Sequence, residues 1–254
     1  MYVYTCRPEY DSMLTCIYEA WASKKGHNNI RLCIEPIEQY SLFDEYIHIE
    51  PDEEKAERVS RSIWGKISPG FYYEVSYALL SFEPDALDTV YRMLVLGFHF
   101  GAGVVDMVQY KDVVRFREIR KLVSREVHSF REFLRFSQIE GKVYIAHFEP
   151  RSRVIMPVAS YFVDRMPSEN WMIIDDVHRE AIVHPKDETC YLRILTDDEI
   201  QALSCTERED HYTRLWKKYF HTMGISQREN RACQRNHFPL WMRKHVTEFQ
   251  ELCE

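Results

Sequence analysis

Glu126-Val127-His128-Ser129-Phe130 sets a carboxylate two residues before an imidazole. On a β-strand, period-two alternation points both side chains to one face. A carboxylate beside an imidazole orients it and raises its basicity, so Glu126 and His128 are a candidate catalytic acid–base pair. A hydrogen-bonded structural pair at a strand end is the plainer alternative. Phe133-Leu134-Arg135-Phe136 then carries a guanidinium inside an apolar run, where it must find a carboxylate, a phosphate or solvent. Arg135 is therefore a phosphate contact or half of an ion pair with a neighbour such as Asp175 or Asp176. Those acids open Asp175-Asp176-Val177-His178-Arg179, a predicted turn in which Arg179 is a further candidate phosphate contact. Aspartate is an ordinary turn residue, and a pair without a third carboxylate at a matching spacing is weak ground for a metal.

The densest set of donors comes late. Residues 211–245 carry 8 basic side chains and one acidic, in a chain whose net charge is −7. Arg214, Lys217 and Lys218 lie on a predicted helix, followed by Arg228, Asn230, Arg231, Gln234, Arg235 and Asn236. Trp216, Tyr219, Phe238 and Trp241 are interleaved with them. Long donors with aromatic neighbours suit phosphate contact and base stacking. The stripe Tyr212, Leu215, Trp216, Tyr219 and Phe220 is expected to be mostly core, and the alternative for the donors is a solvated basic helix. A smaller basic island spans 111–135, and the remainder is acidic, with 17 acids against 9 bases over residues 1–106. Two such islands in an acidic chain are the footprint of an anionic partner.

Other chemistry is excluded by what the sequence lacks. It contains no G-x-S-x-G, P-loop or H-E-x-x-H motif, and no zinc-deaminase set. Gly101-Ala102-Gly103 follows a predicted helix rather than a strand and lacks the third glycine of a dinucleotide loop. The seven cysteines include no C-x-x-C and no cluster of three for an iron–sulfur centre. A zinc site from Cys233, His237 and two distant cysteines would lack the close ligand pairs usual in structural zinc sites. No metal or other cofactor is expected. Met93–Val105, the most apolar run, is too short to span a bilayer. Met1–Tyr10 does not read as a signal peptide. A cytoplasmic protein with reduced thiols and no membrane partner is the expectation.

The elements that must position these residues follow from periodicity. Helices are predicted over 11–22, from Pro51-Asp52 onward, over 71–81 and 84–98, and from Asp112 to about Ser124, with a short strand over Ile30–Ile34 ending at Pro36. Residues 126–138 and 143–148 read as a β-hairpin around Gly141. A helix over 153–164 precedes a second hairpin, 171–175 with 180–183, and a short strand at 191–195. Thr196-Asp197-Asp198-Glu199 opens a short helix, 211–223 is helical, and the tail after Pro239 is expected to be helical. The predicted class is α+β: a helical N-terminal region packed on an antiparallel sheet with covering helices and a basic helical C-terminus. The charge sign divides it into a mainly helical acidic region, 1–106, and an α+β body, 107–254.

Several segments, in the same order, resemble a bacterial domain-of-unknown-function family labelled as DNA metabolism or DNA repair proteins. They are Tyr10-Asp11 through Leu14–Ala20, Lys55–Val59, Glu126–Phe136, Ala159–Arg165, Asp176 with Arg179, Leu215–Phe220, and Ile225–Arg231 with Gln234 and Pro239. Val163-Asp164 departs from the pattern. The resemblance implies a role beside a radical-SAM protein, since such proteins are commonly encoded next to one or fused to a uracil-DNA-glycosylase-like domain. This chain has neither the fused domain nor radical-SAM cysteines, so that partner would be a separate chain. The expected function is a DNA repair or modification protein that binds nucleic acid, DNA first. The alternatives are an enzyme acting on a nucleotide or nucleic-acid end through Glu126 and His128, and a protein-interaction adaptor.

Overall fold

The structure, a computed structural model, describes residues 1–37, 39–139, 143–204, 211–223 and 230–249. The chain divides into two compact units, Met1–Ser124 and Arg125–Glu254.

In the first unit, β1 (Tyr2–Cys6) is the middle strand of a sheet with order β2-β1-β3. Both β2 (Ile30–Ile34) and β3 (Glu45–His48) run parallel to it. Four consecutive β1 residues, Val3 to Cys6, are buried, as expected for a central parallel strand covered on both faces. Helix α1 (Tyr10–Ala22) buries Met13, Leu14, Cys16, Ile17 and Ala20 at helical spacing. Asp52 caps α2 (Glu53–Lys66) by accepting the Lys55 N–H at 3.1 Å, and Ser68 caps α3 (Pro69–Leu79) through the Phe71 N–H at 3.0 Å. Helix α4 (Ala86–Phe100) buries Leu87, Val90, Tyr91 and Leu94 and ends at Gly101, whose φ of 76° suits a residue without Cβ. The N-terminal region is thus not helical alone; it is built on a parallel sheet.

Helix α5 runs without a break over Lys111–Phe133. Its buried apolar residues are Val113, Phe116, Ile119, Val123, Val127 and Phe130. Steps of three and four continue straight through the segment expected to be a strand. The strand reading of 126–136 is therefore corrected. On a helix, residues two apart point about 200° from one another, so Glu126 and His128 cannot share a face. The hairpin survives only beyond it, as β4 (Ser137–Ile139) against β5 (Val143–Phe148).

The second unit contains a five-stranded sheet of order β4-β5-β6-β7-β8, with β6 at Trp171–Asp175, β7 at Glu180–His184 and β8 at Tyr191–Ile194. It is mixed rather than antiparallel. Strands β5 and β6 are parallel, joined through α6 (Ile155–Arg165), while the other three pairings are antiparallel. Ile145, Ile174, Ala181 and Leu195 form a cluster on one face, packed by Ile200 and Leu203 of α7 (Asp197–Ser204). Thr196 and Glu199 close the start of α7 reciprocally, with the Thr196 N–H on Glu199 at 2.9 Å and the Glu199 N–H on Thr196 Oγ1 at 3.4 Å. Helices α8 (His211–Met223) and α9 (Arg231–His237) follow. The described residues after Pro239 form short 3-10 turns, Leu240–Met242 and Thr247–Phe249, where a helix was expected.

The helical register of 126–133 is checked by two substitutions. Phe130→Ala should cost about 3–5 kcal/mol in urea unfolding, because it empties a buried site. His128→Ala, at an exposed position, should stay within ~0.5 kcal/mol of the parent. A strand would make the two comparable, since 128 and 130 would share one face.

Candidate functional site

Parallel pairing aligns Phe148 of β5 with Asp175 of β6, so both strands end at the same edge of the sheet. One further rung, the Asp176 N–H on the Phe148 carbonyl at 3.1 Å, carries the ladder past the ends. Period-two alternation then puts His147, Glu149 and Asp176 on one side of that edge. The carboxyl ends of parallel strands are where open α/β sheets place their ligands. His245, from the chain's last described stretch, completes the group. Its Nε2 lies 3.7 Å from Glu149 Oε1 and 3.6 Å from Asp176 Oδ2. One ligand-type atom from each of Glu149, Asp176 and His245 falls within 4.8 Å of the others.

The supports of this group are specific. His147, almost fully buried, sets Nδ1 at 3.1 and 3.2 Å from the two Asp176 carboxylate oxygens. Its ring stacks on His245 with centroids 5.9 Å apart. Asp175, wholly buried, accepts the N–H groups of Val177 and His178 at 3.0 and 2.9 Å and meets His178 Nδ1 at 2.7 Å. This Asx-type turn fixes the backbone from which Asp176 projects. Arg179, at the turn's end, has φ 59°, gives its carbonyl to the Leu195 N–H and pairs with Asp197 at 2.9 Å. Glu149 is held by Lys244.

Glu126 acts on the other side of Glu149. It is buried, and its carboxylate accepts the Arg151 N–H at 2.6 Å and the Ser152 N–H at 3.2 Å. It therefore braces the loop that carries Glu149. Burial holds its carboxyl above the usual range, against the opposing pull of those hydrogen bonds. His128 is exposed and pairs along the helix with Glu132 at 3.2 Å. The acid–base pair expected from the sequence does not form.

The chain belongs to the DUF4130 family, a domain of unknown function. The match runs over residues 84–248, about two thirds of the chain, and includes every residue of the group just described. No curated protein matches the chain.

The remaining sequence-predicted contacts of this DUF4130 chain fall in several places. Arg135 pairs with Glu248 at 2.6 Å, and Glu248 is buried; its partner is neither Asp175 nor Asp176. Arg214 and Lys218 are exposed on α8, whereas Lys217 is buried, with 3% of its surface accessible. Lys217 therefore does not present its ammonium to a phosphate. The α8 stripe expected to be core is exposed at Leu215, Trp216, Tyr219 and Phe220. Arg231, Gln234 and Arg235 are exposed on α9, and Asn230 is its cap, accepting the Cys233 N–H at 2.9 Å. Arg228 and the side chain of Tyr212 lie outside the described residues. Cys233 and His237 are both exposed, and no cysteine joins a metal-type cluster among the described residues.

The sequence reading missed His147, Glu149 and His245. The first two carried a signal, since His147-x-Glu149 alternates at the end of a strand that was itself predicted. His245 carried none.

Two measurements follow from these contacts. Replacing Arg135 with Met leaves Glu248 buried without its cation, and should cost on the order of 3 kcal/mol in urea unfolding. Glu248→Gln in the same chain should recover part of the loss. A pure phosphate contact would show no such loss. For Glu126 the sign runs the other way from most carboxylates. Its folded pKa is raised, so the folded state holds the proton more tightly. Stability from this group is full below the unfolded carboxyl pKa and is lost as pH rises through the folded value. The stability of the parent relative to Glu126→Gln should therefore fall between acid and neutral pH. A flat or rising difference would remove burial as the dominant cause.

Proposed function

We propose that this DUF4130 chain binds nucleic acid in DNA repair or modification, as an accessory to a radical-SAM enzyme. The observation that carries this reading is the surface of α8. At 3.6 residues per turn, Arg214 and Lys218 form one strip of the helix, Leu215 and Tyr219 the next, and Trp216 and Phe220 the third. All six are exposed. Trp216 and Tyr219 stack with centroids 5.6 Å apart. Cations beside accessible aromatic faces are the arrangement that tracks a phosphate backbone and stacks its bases, with little dependence on sequence. The exposed donors Arg231, Gln234 and Arg235 of α9 add to the same chemistry. The DNA assignment and the radical-SAM partner rest on the family resemblance. The enzyme alternative built on Glu126 and His128 loses its geometric basis, because the two residues point to different sides of α5.

Among the described residues no helix is long and apolar enough to cross a membrane. The competing reading is an adaptor that covers the exposed apolar strips with another protein. The two differ in their salt dependence. Fluorescence anisotropy with labelled single- and double-stranded oligonucleotides should show affinity falling steeply with salt, by about 0.9 of a log unit per log unit of salt for each duplex phosphate neutralised. Arg214, Lys218 and Arg235 exchanged together for Gln should reduce that slope by about two to three units, with little change in melting temperature because exposed charges contribute little to folding. Trp216→Ala should weaken single-strand binding by about 1–3 kcal/mol. No binding to either oligonucleotide at ~50 mM salt, where phosphate contacts are strong, would select the adaptor.

A further inference from the structure

We infer that Glu149, Asp176 and His245 form a binding site for a divalent transition-metal ion, with His147 as the residue that orients Asp176. This site does not depend on the nucleic-acid reading, since its residues lie outside α8 and α9.

The donor set decides the class of ion. Two carboxylates and one imidazole suit borderline cations such as Mn²⁺, Fe²⁺ or Zn²⁺. They do not match the all-oxygen shells of Ca²⁺ and Mg²⁺ or the thiolate shells of structural zinc. Geometry permits such an ion. With His245 Nε2 at 3.7 and 3.6 Å from the two carboxylate oxygens, and all three atoms within 4.8 Å, a point between them lies no more than about 2.4 Å from each. Bound zinc needs ~2.0–2.2 Å, so a contraction of a few tenths of an ångström suffices.

A second observation is independent of that spacing. A cavity of about 10 Å³ lies beside the group, lined by His147, Glu149, Lys244 and His245 together with Arg135 and apolar side chains; Asp176 does not line it. It has room for roughly one water-sized sphere, too little for an organic ligand. His147, with a side chain 2% accessible, lines this cavity, and its Nε2 finds no hydrogen-bond partner among the described residues. A buried imidazole with Nδ1 on a ligand carboxylate is the pattern by which second-layer groups orient metal ligands.

The charges fit too. Glu149 and Asp176 sit together, and the cation that offsets Glu149 is Lys244, whose side chain is 63% accessible. Lys244 can swing into solvent when a metal takes its place. Removing it should therefore strengthen metal binding, the reverse of what truncating a structural ion pair does to stability.

The test is isothermal titration of EDTA-treated, extensively dialysed full-length protein with MnCl₂. Manganese is the first probe because the thiols of this chain compete poorly for it. One ion per chain is expected, with a matching rise in melting temperature. Glu149→Gln and His245→Ala should each abolish binding or weaken it at least tenfold. His147→Gln should weaken it about 10–100-fold, and Lys244→Met should tighten it severalfold. Circular dichroism and unfolding of each variant without metal separate lost ligation from lost folding, and the near-isosteric Glu149→Gln keeps the test alive if His245→Ala misfolds. Absence of heat and of any melting shift at millimolar MnCl₂, repeated with ZnCl₂, overturns the site. So does binding that Glu149→Gln and His147→Gln leave unchanged in folded protein.

Discussion

Two adjacent strands that run the same way must finish at the same edge of a sheet, and β5 and β6 are the parallel pair of the second unit. Everything at the candidate site depends on that alignment. An antiparallel pairing would send the residues after Phe148 and those after Asp175 to opposite edges, and Glu149 could not meet Asp176. The parallel pairing requires a crossover, supplied by α6, and the loop into α6 is the one that Glu126 holds by its backbone N–H groups. The Asp175 carboxylate does the same for the loop after β6. Each arm of the site thus projects from backbone tied down by a buried carboxylate. Buried carboxylates are costly unless hydrogen-bonded; loop N–H groups bond both of these, and at Glu126 burial still outweighs them.

The same accounting explains the C-terminal stretch. Glu248 is buried and reaches Arg135 just past the end of α5. Phe133 stacks on Phe238 at 4.0 Å, and Arg243 caps the Phe238 carbonyl while lying over the Phe249 ring. These contacts dock residues 238–249 on the unit and so deliver His245 to the strand ends. Arg135 and Phe133 line the same small cavity as His147, Glu149 and His245 and, with the aromatics around them, support the site structurally.

Much of the fold was legible where one periodicity ruled. Helices α1, α2, α4 and α6 showed apolar steps of three and four, and β6, β7 and β8 were bounded by turn residues. Strands β1 and β3 were not legible for opposite reasons. Tyr2–Cys6 is buried on both faces and therefore does not alternate, while Glu45–His48 is a short polar edge. The error at 126–136 came from weighing β-prone aromatic and branched residues above spacing. Val127, Phe130 and Leu134 extend the stripe of Phe116, Ile119 and Val123, and that register outweighs residue preference. At α8 the spacing was read correctly and the environment was not. A helical stripe tells which residues share a face, and burial depends on whether another element covers that face. His245 was invisible because its place is set by aromatic packing of a tail with no periodicity.

Electrostatics links the two surfaces of the second unit. The strips on α8 and the donors of α9 are positive and accessible, whereas the strand ends present two partly accessible carboxylates. A phosphate is attracted to the former and repelled by the latter, and at a few ångströms such repulsion amounts to kcal/mol even at the moderate effective dielectric near a protein surface. A nucleic acid lying on α8 and α9 would therefore avoid the strand ends unless a cation covered them. Lys244 neutralises one carboxylate and leaves Asp176 to His147 and His245. A divalent ion would neutralise both, and three protein ligands would leave it a position for an oxygen from outside the protein. Under the proposed nucleic-acid reading, the sign of charge at the strand ends would decide whether a phosphate oxygen can approach these carboxylates.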